Sequence, residues 1–488
     1  MQLKVKFLRW SAGRPVAILH RKLALKSSIH VDDRITIKKN SHKIIAVVDI
    51  ASGMLKEDEI AVSAEVSQKL NLRENETVSA SPASQPESIP IIMKKLECRR
   101  LSKSEINKII KDITDNALTE SEIAYFISAV YKCGMTLEET KSMIQSIVSN
   151  GKKLNLKNKL IADKHSVGGI PGRTTPIIVS ICSAAGLTMP KTSSRAITTP
   201  AGTADALEVI CRVEFSIPEI RKIIKKTNAC MVWGGYLGLA PADDKIIQVE
   251  KLLNLDPESQ LLASIMSKKI AVGSKYVLIE IPYGKYAKVN KKQALNLESK
   301  FKNISKKFNI HLECILIEAA QPIGNGVGPA LEIKDVIKVL RRESPCFLLE
   351  QRALISAGKL LEMTGKAKKG NGYKLAKEIL DSGKAFEKFI QIIRAQKGRV
   401  TGIRDAKFRK DILAEKNCSI KEINIKLINS LAKTLGCPSD KLAGIYLHRH
   451  AGEKIQKGGK IITLYSESKP ELKAGIEFYN KNKPIILR

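Results

Sequence analysis

The sequence predicts a multidomain α/β protein: an N-terminal β-rich domain, an α-helical subdomain, a large α/β domain and a C-terminal α+β domain. Three observations carry that prediction. At 488 residues and 43% hydrophobic content the chain can bury several cores, at about 100–200 residues to each. Between 102 and 139 three Ser/Thr-x-x-Glu capping boxes follow one another, each ahead of an apolar pattern of helical period. Beyond 158, strand-like and helix-like segments alternate at the spacing of βαβ units, which implies a largely parallel sheet.

Residues 1–84 form the expected β-rich domain. LKVKFL, RITIKK and HKIIAVVDI read as strands, and SAEVSQKLNLRENETVSAS reads as a short helix, a turn and a closing strand. SASPASQPESIP, at 79–90, carries three prolines and four serines and reads as a linker.

The α-helical subdomain is assigned to 95–150 and 240–270. Its capping pairs are Ser102 with Glu105, Thr119 with Glu122 and Thr136 with Glu139. The stripes behind them are Ile106, Ile109, Ile110 and Ile113; Ile123, Phe126, Ile127 and Val130; and Met143, Ile144, Ile147 and Val148. Gly134 and Gly151 stop the second and third helices.

The α/β domain is assigned to 158–236 and 275–420, with strands at KLIADK, LTMPK, ACMVW, KYVLIEI and HLECILIEA. Helices are expected at TTPIIVSICSAAG, IPEIRKIIKKT and PALEIKDVIKVLRR, and between the two α/β segments at PESQLLASIMSKKIAVG. The C-terminal domain is assigned to 421–488, with a helix near 424–435.

The formal net charge of +34 is spread along the whole chain rather than gathered into a tail, which fits a solubilising lysine surface better than a nucleic-acid arm. Aromatics make up only 5% of residues and no RNA-module motif is present, against a basic RNA-binding protein on a dead enzyme scaffold. No run of about 18 apolar residues occurs, so no membrane partner is expected. MQLKVKFLRW alternates like a strand and lacks an apolar signal core. The nine cysteines are scattered, with no Cys-x-x-Cys, so a reduced, cytoplasmic protein is the expectation. His448 and His450 lack an obvious third ligand in sequence; no metal and no other cofactor is assigned.

KHSVGGIPGRTTPIIVS, residues 164–180, puts Lys164, His165 and Ser166 against paired glycines, just ahead of a helix start. A turn between a strand and a helix N-terminus exposes backbone N–H groups, and glycines let an anion approach them. Lys164 adds charge, and Ser166 and Thr175 add hydroxyls. A phosphate cradle results, although the P-loop pattern is absent. A second polar stretch, KTSSRAITTPAGTADALE at 191–208, follows the next strand. Loops at successive strand C-termini face one cleft in parallel α/β sheets.

These two stretches, with LAPADD (239–244), LLASIMSKK (261–269) and QPIGNGVGPALE (321–332), resemble the thymidine/pyrimidine nucleoside phosphorylase superfamily in order and place, over roughly 95–465. Within it, SSRAITTPAGTAD, WGG and IPYGKYAKV (281–289) are most similar to the archaeal AMP phosphorylase branch. The departures agree: Val249 stands nearest the place of the base-reading arginine of pyrimidine enzymes, and Ser193-Ser194-Arg195-Ala196-Ile197-Thr198-Thr199 replaces their glycine-rich loop.

The resemblance implies that AMP reacts with inorganic phosphate to give adenine and ribose 1,5-bisphosphate, with CMP and UMP as candidate further substrates. It implies that Lys164, Ser166, Thr175, Ser193 and Thr203 hold the attacking phosphate. Gly168, Thr203 and the loop Ser194, Arg195, Ala196, Ile197, Thr198 and Thr199 would take the ribose and 5′-phosphate side, with Lys288 adding charge. His165 would touch the ribose; Ser264 and Lys268, one helical turn apart, would reach the base. Asp256 would protonate the leaving purine, although LDPES also reads as a helix cap with Pro257 at the first helical position. A homodimer or higher homo-oligomer is expected. The nearest alternatives are a thymidine-type phosphorylase and a phosphoribosyltransferase, the second needing diphosphate and magnesium.

Overall fold

Strands β1 (Gln2–Phe7), β2 (Val16–His20), β3 (Arg34–Lys39), β4 (His42–Ala51), β5 (Glu59–Val62) and β6 (Thr77–Pro82) close into a barrel of order β1-β5-β2-β4-β3-β6 in the computed structural model, which describes residues 1–157, 160–196 and 199–488. Alternate apolar residues such as Val5, Leu19, Ile35, Ile37 and Ile60 fill its interior, and α1 (Arg21–Lys26) and α2 (Ala64–Leu70) connect its strands. Closure removes the exposed edges that an open sheet of this size would carry. The expected linker is shorter than 79–90: β6 runs to Pro82, and α3 (Ser88–Leu96) starts at Ser88. Prolines sit at the strand end and within the first helical turn, where no backbone donor is needed.

The chain divides into two compact units, 1–150 with 241–263, and 151–240 with 264–488. The first holds the barrel and the helices α3, α4 (Lys103–Thr114), α5 (Glu120–Cys133) and α6 (Leu137–Ser149), with α10 (Pro241–Leu253). Both arms of all three capping boxes are formed, and the expected stripes are the buried residues. The third helix ends on Asn150, one residue before the expected glycine. Glu139 serves its cap and also a buried pair with Lys95, 2.9 Å away.

The cysteine reading is corrected here. Cys98, just past α3, and Cys133, at the end of α5, form a disulfide with Cα atoms 5.2 Å apart. Their separation of 35 residues carries no pairing signal; the packing of α3 on α5 brings them together.

In the second unit the strands are β7 (Ala162–Ser166), β8 (Met189–Ser193), β9 (Ala229–Trp233), β10 (Tyr276–Tyr283) and β11 (His311–Glu318). They pair in parallel as β11-β10-β7 and β8-β9, and a parallel bridge between Ile161 and Thr188 joins the two sets. The helices are α7 (Thr174–Ala184), α8 (Thr203–Glu208), α9 (Ile217–Thr227), α12 (Lys291–Lys306) and α13 (Pro329–Arg341). α11 (Glu258–Val272) enters this unit at Ser264. Three further helices, α14 (Phe347–Met363), α15 (Gly372–Asp381) and α16 (Lys384–Ala395), pack with α7 around the largest core. Because β7 pairs with β10 and β8 with β9 in parallel, Ser166 and Ser193 both stand at strand C-terminal ends.

The C-terminal strands begin at β13 (Phe408–Leu413), before the expected limit of 421, and the limit itself falls within β14 (Cys418–Ile423). β12 (Gly326–Val327), β15 (Gly444–Leu447), β17 (Lys460–Ser466) and β13 form one sheet; β14 pairs β16 (Lys454–Ile455) and β18 (Ile485–Leu487). α17 (Ile425–Thr434) and α18 (Lys469–Asn482) cover them. Among the described residues no helix is long and apolar enough to cross a membrane.

Candidate active site

β7 ends at Ser166, and the chain turns through Gly168, Gly169 and Gly172 at φ of 100°, 96° and 117° before α7 begins at Thr174. Gly172 is forced twice over: a Cβ there would stand 2.4 Å from Ile323 Cγ1 and 3.0 Å from the Gly324 amide. Ile323 N donates to Pro171 O at 3.1 Å, and Asn429 Nδ2 on α17 donates to Gly169 O at 3.3 Å. The QPIGNG segment and α17 therefore hold the turn in place.

Under the turn lies a buried network of charge. Lys164 Nζ is 2.7 Å from Glu280 Oε2 on β10 and 2.9 Å from Thr174 Oγ1, and Ser356 Oγ donates to the other Glu280 oxygen at 2.6 Å. Asp163 Oδ1 accepts from the Lys164 amide at 2.7 Å and lies 3.5 Å from Lys191 Nζ; its Oδ2 is 2.7 Å from Lys269 Nζ. Burial pulls the Lys164 ammonium down from its usual range, opposed by Glu280. Burial likewise brings Lys269 to about 7, against the attraction of Asp163. His165 is held well below an ordinary imidazole, first by burial and then by Lys269, Lys191, Lys164 and Lys268. A neutral imidazole suits a ribose hydroxyl better than a phosphate. Thr175 is buried at the start of α7, but it is Thr174 that bonds Lys164.

The second loop starts at Ser193, whose Oγ is buried and has no hydrogen-bond partner among the described residues. Gly202 packs against the loop so closely that a Cβ would meet Ser194 O at 2.4 Å. Asp205 Oδ2 accepts from Ala196 N at 2.7 Å and Gly202 N at 2.8 Å. Ser194 is exposed, and Thr203 is half-buried at the first position of α8. Thr199 Oγ1 donates to Ala201 O at 2.7 Å. Arg173, paired with Glu332, also reaches Ala201 O. Ile197 and Thr198 lie outside the described residues.

Arg195 is held by several partners within the fold. Its guanidinium makes a two-point contact with Glu208 at 2.7 and 2.9 Å, reaches Glu214 at 3.0 Å and Asp205 at 3.3 Å, and stacks 4.6 Å from the Trp233 ring. Those carboxylates raise its pKa further, and it in turn holds Glu208 down at about 2. The side chain thus braces the loop against α8 and Trp233.

On the base side, Lys268 Nζ stands 3.5 Å from Ser264 Oγ, both half-buried on α11. Lys288 is half-buried, and its amide nitrogen lies 3.7 Å from the Cβ position of Gly169, beside the glycine turn. Asp256 is exposed and belongs to the first unit. α11 starts at Glu258, just after Asp256 and Pro257, and Leu261 N donates to Pro257 O at 2.9 Å. His448 and His450 pair with Thr463 and Asn325, both at 2.8 Å. No group of three metal-ligating side chains occurs among the described residues.

Sequence reasoning missed Asp163, Glu280, Arg173, Lys191 and Lys269. Each sits inside a quoted motif or strand, but its partner comes from another strand or helix, so the pairing leaves no local signal. A charge in the middle of a strand otherwise buried, as at Asp163 and Glu280, is the signal that was available.

A glycine turn and a hydroxyl-rich loop stand at neighbouring strand ends beside buried lysines, an arrangement suited to an anionic ligand. The family described as "Glycosyl transferase family, helical bundle domain" matches 89–151, "Glycosyl transferase family, a/b domain" matches 158–386, and "Pyrimidine nucleoside phosphorylase C-terminal domain" matches 419–485. Proteins named AMP phosphorylase are similar over nearly the whole chain. That of Thermococcus kodakarensis is 40% identical over 99% of this chain and 97% of its own length. That of Methanococcoides burtonii is 40% identical over 100% and 97%, and that of Methanococcus vannielii 38% over 99% and 97%. The anthranilate phosphoribosyltransferase structure from Thermus thermophilus shares the fold, with a TM-score of 0.53 at 14% identity over 63% of this chain and 99% of that one. The chain belongs to the AMP phosphorylase family, within the pyrimidine nucleoside phosphorylase superfamily.

Proposed function

We propose that the protein is a pentosyltransferase that cleaves AMP with inorganic phosphate, releasing adenine and ribose 1,5-bisphosphate. The observation that carries this reading is the Lys164–Glu280 and Lys191–Asp163–Lys269 network directly beneath the glycine turn. It sets three buried lysines against two carboxylates, so a phosphate at the turn would favour the charged forms of Lys164 and Lys269 that burial otherwise disfavours. Phosphate held at Lys164, Ser166, Thr175, Ser193 and Thr203 attacks C1′ as the glycosidic bond opens through an oxocarbenium-like state. Gly168, the 194–199 backbone and Lys288 take the 5′-phosphate side, and neutral His165 takes a ribose hydroxyl. Ser264 and Lys268 orient the base. The acid role of Asp256 rests on the family resemblance alone. CMP and UMP belong to the same proposal as further substrates.

A cytoplasmic location and a homo-oligomer are part of this reading. The test compares wild type with Lys288→Ala on AMP and on adenosine at equal phosphate. AMP should be far the better substrate, and the substitution should cost AMP turnover while sparing the residual adenosine rate. Equal proportional losses on both substrates would remove Lys288 from the 5′-phosphate site. Thymidine outpacing AMP would refute the substrate assignment.

A further inference from the structure

A cavity of about 470 Å³ opens between the segment after α8 and the loop after α16. Its wall carries three cations, Arg212, Lys397 and Arg399, together with Thr401 and the backbone of Gly398 and Gly402. Arg212, Lys397, Arg399 and Thr401 are all exposed. None of them belongs to the phosphorolysis site.

The wall is built, not incidental. Gln396 is fully buried, and its side chain bridges Met231 N and O at 2.8 and 2.9 Å and Arg212 O at 3.1 Å. Arg212 N donates to Gln396 O at 3.1 Å, and Arg399 N donates to Ile210 O at 2.9 Å. A Cβ at Gly398 would lie 2.2 Å from Ile210 O, so the two segments are in the closest contact backbones allow. Lys397 adopts φ of 59°, a left-handed conformation that costs a lysine about 1 kcal/mol or more. That conformation sets its side chain on the cavity wall beside Arg399. One carboxylate, Glu219, faces the group, 3.4 Å from Arg212 Nη1. With Glu219 paired to Arg212, Lys397 and Arg399 leave this open concavity positively charged among the described residues.

We propose that this cavity is a second anion site, for a ligand carrying two or more linked phosphates, and that it communicates with the substrate loop. The cations are spread along the wall from two chain segments, which suits a di- or triphosphate better than a single phosphate. The communication is structural. Val209–Val213 runs between Glu208 and Glu214, and both of those carboxylates hold Arg195, the brace of the 194–199 loop. A ligand that draws Arg212 inward pulls on a segment pinned at both ends to that brace.

The experiment is titration calorimetry with inorganic tripolyphosphate, and separately with ATP, on the full-length protein without added metal. The variants are Arg399→Ser and Lys397→Gly, the second chosen because glycine accepts the left-handed φ. Wild type should bind tripolyphosphate, and each variant should weaken it by about tenfold or more, as expected for losing a charge-assisted contact, with an unchanged melting midpoint and unchanged AMP phosphorolysis. If ATP binds as tripolyphosphate does and loses the same factor, the ligand is a nucleotide read through its phosphates. If tripolyphosphate alone shows the loss, the site reads free polyphosphate. Equal tripolyphosphate affinity in wild type and both variants would overturn the site.

Discussion

At the scale of single residues, the central inference concerns charge. Lys164 is buried between Glu280 and Thr174 at the base of the glycine turn. Lys164→Ala should raise KM for inorganic phosphate by about 10–100-fold, the worth of one charged hydrogen bond, and raise KM for AMP much less. Initial-rate kinetics with each substrate varied in turn measures it; a selective loss of AMP affinity would mean that the two anion sites are exchanged. His165 gives a second test. Its shift is downward, so the imidazole remains neutral as pH falls through the ordinary histidine range near 6.5. The His165 signal in a ¹³C-labelled histidine spectrum should titrate only below the ordinary histidine range, and a midpoint near 6.5 would contradict its burial beside the four lysines. The glycine turn was legible in the sequence because Lys-His-Ser-Val-Gly-Gly is a contiguous run. The buried counter-charges were not, because Asp163 meets Lys191 and Lys269 only through the pairing of separate elements.

At the scale of elements, the 194–199 loop is held by α8 rather than by its own sequence. Gly202→Ala would drive a methyl into Ser194 O and Ala196 N, and should cost about 1–3 kcal/mol and most of the AMP affinity. Chemical denaturation paired with KM for AMP reads both. The Arg195–Glu208 pair adds a pH dependence. Glu208 is held at about 2 when folded, below its usual value of 4.5. Its contribution is therefore present above about pH 4.5 and is lost as pH falls toward 2. Partial exposure screens the pair, so Glu208→Gln should lower stability by about 1 kcal/mol or less near neutrality and by nothing near pH 2. An arginine in a polar loop reads as a ligand for phosphate, and three carboxylates from α8 and its flanks surround Arg195. The helices were the most legible elements, since capping and apolar stripes are local signals; the segment 345–395 gave no such starts, and its α14 and α16 open on Cys346 and Gly383 without side-chain caps.

At the scale of the whole molecule, the barrel, the bundle, the parallel sheet and the C-terminal sheets follow the order the sequence predicts, and their limits shift where pairing draws in distant strands. β12, at 326–327, joins the C-terminal sheet through β15, which no local pattern announces. The Cys98–Cys133 disulfide closes a loop across the helical bundle. Loop-closure entropy for its 35-residue separation predicts a stabilisation of about 3–4 kcal/mol, so Cys98→Ser with Cys133→Ser should lower the unfolding midpoint under oxidising conditions and make it insensitive to reductant. The central claim, that this site moves ribose 5-phosphate from adenine to inorganic phosphate, is tested most directly by ³¹P NMR of the products from AMP and phosphate. Phosphate-dependent appearance of a sugar with phosphorus at both C1 and C5, in step with free adenine, is the predicted result. Ribose 5-phosphate formed at a rate independent of inorganic phosphate would contradict it.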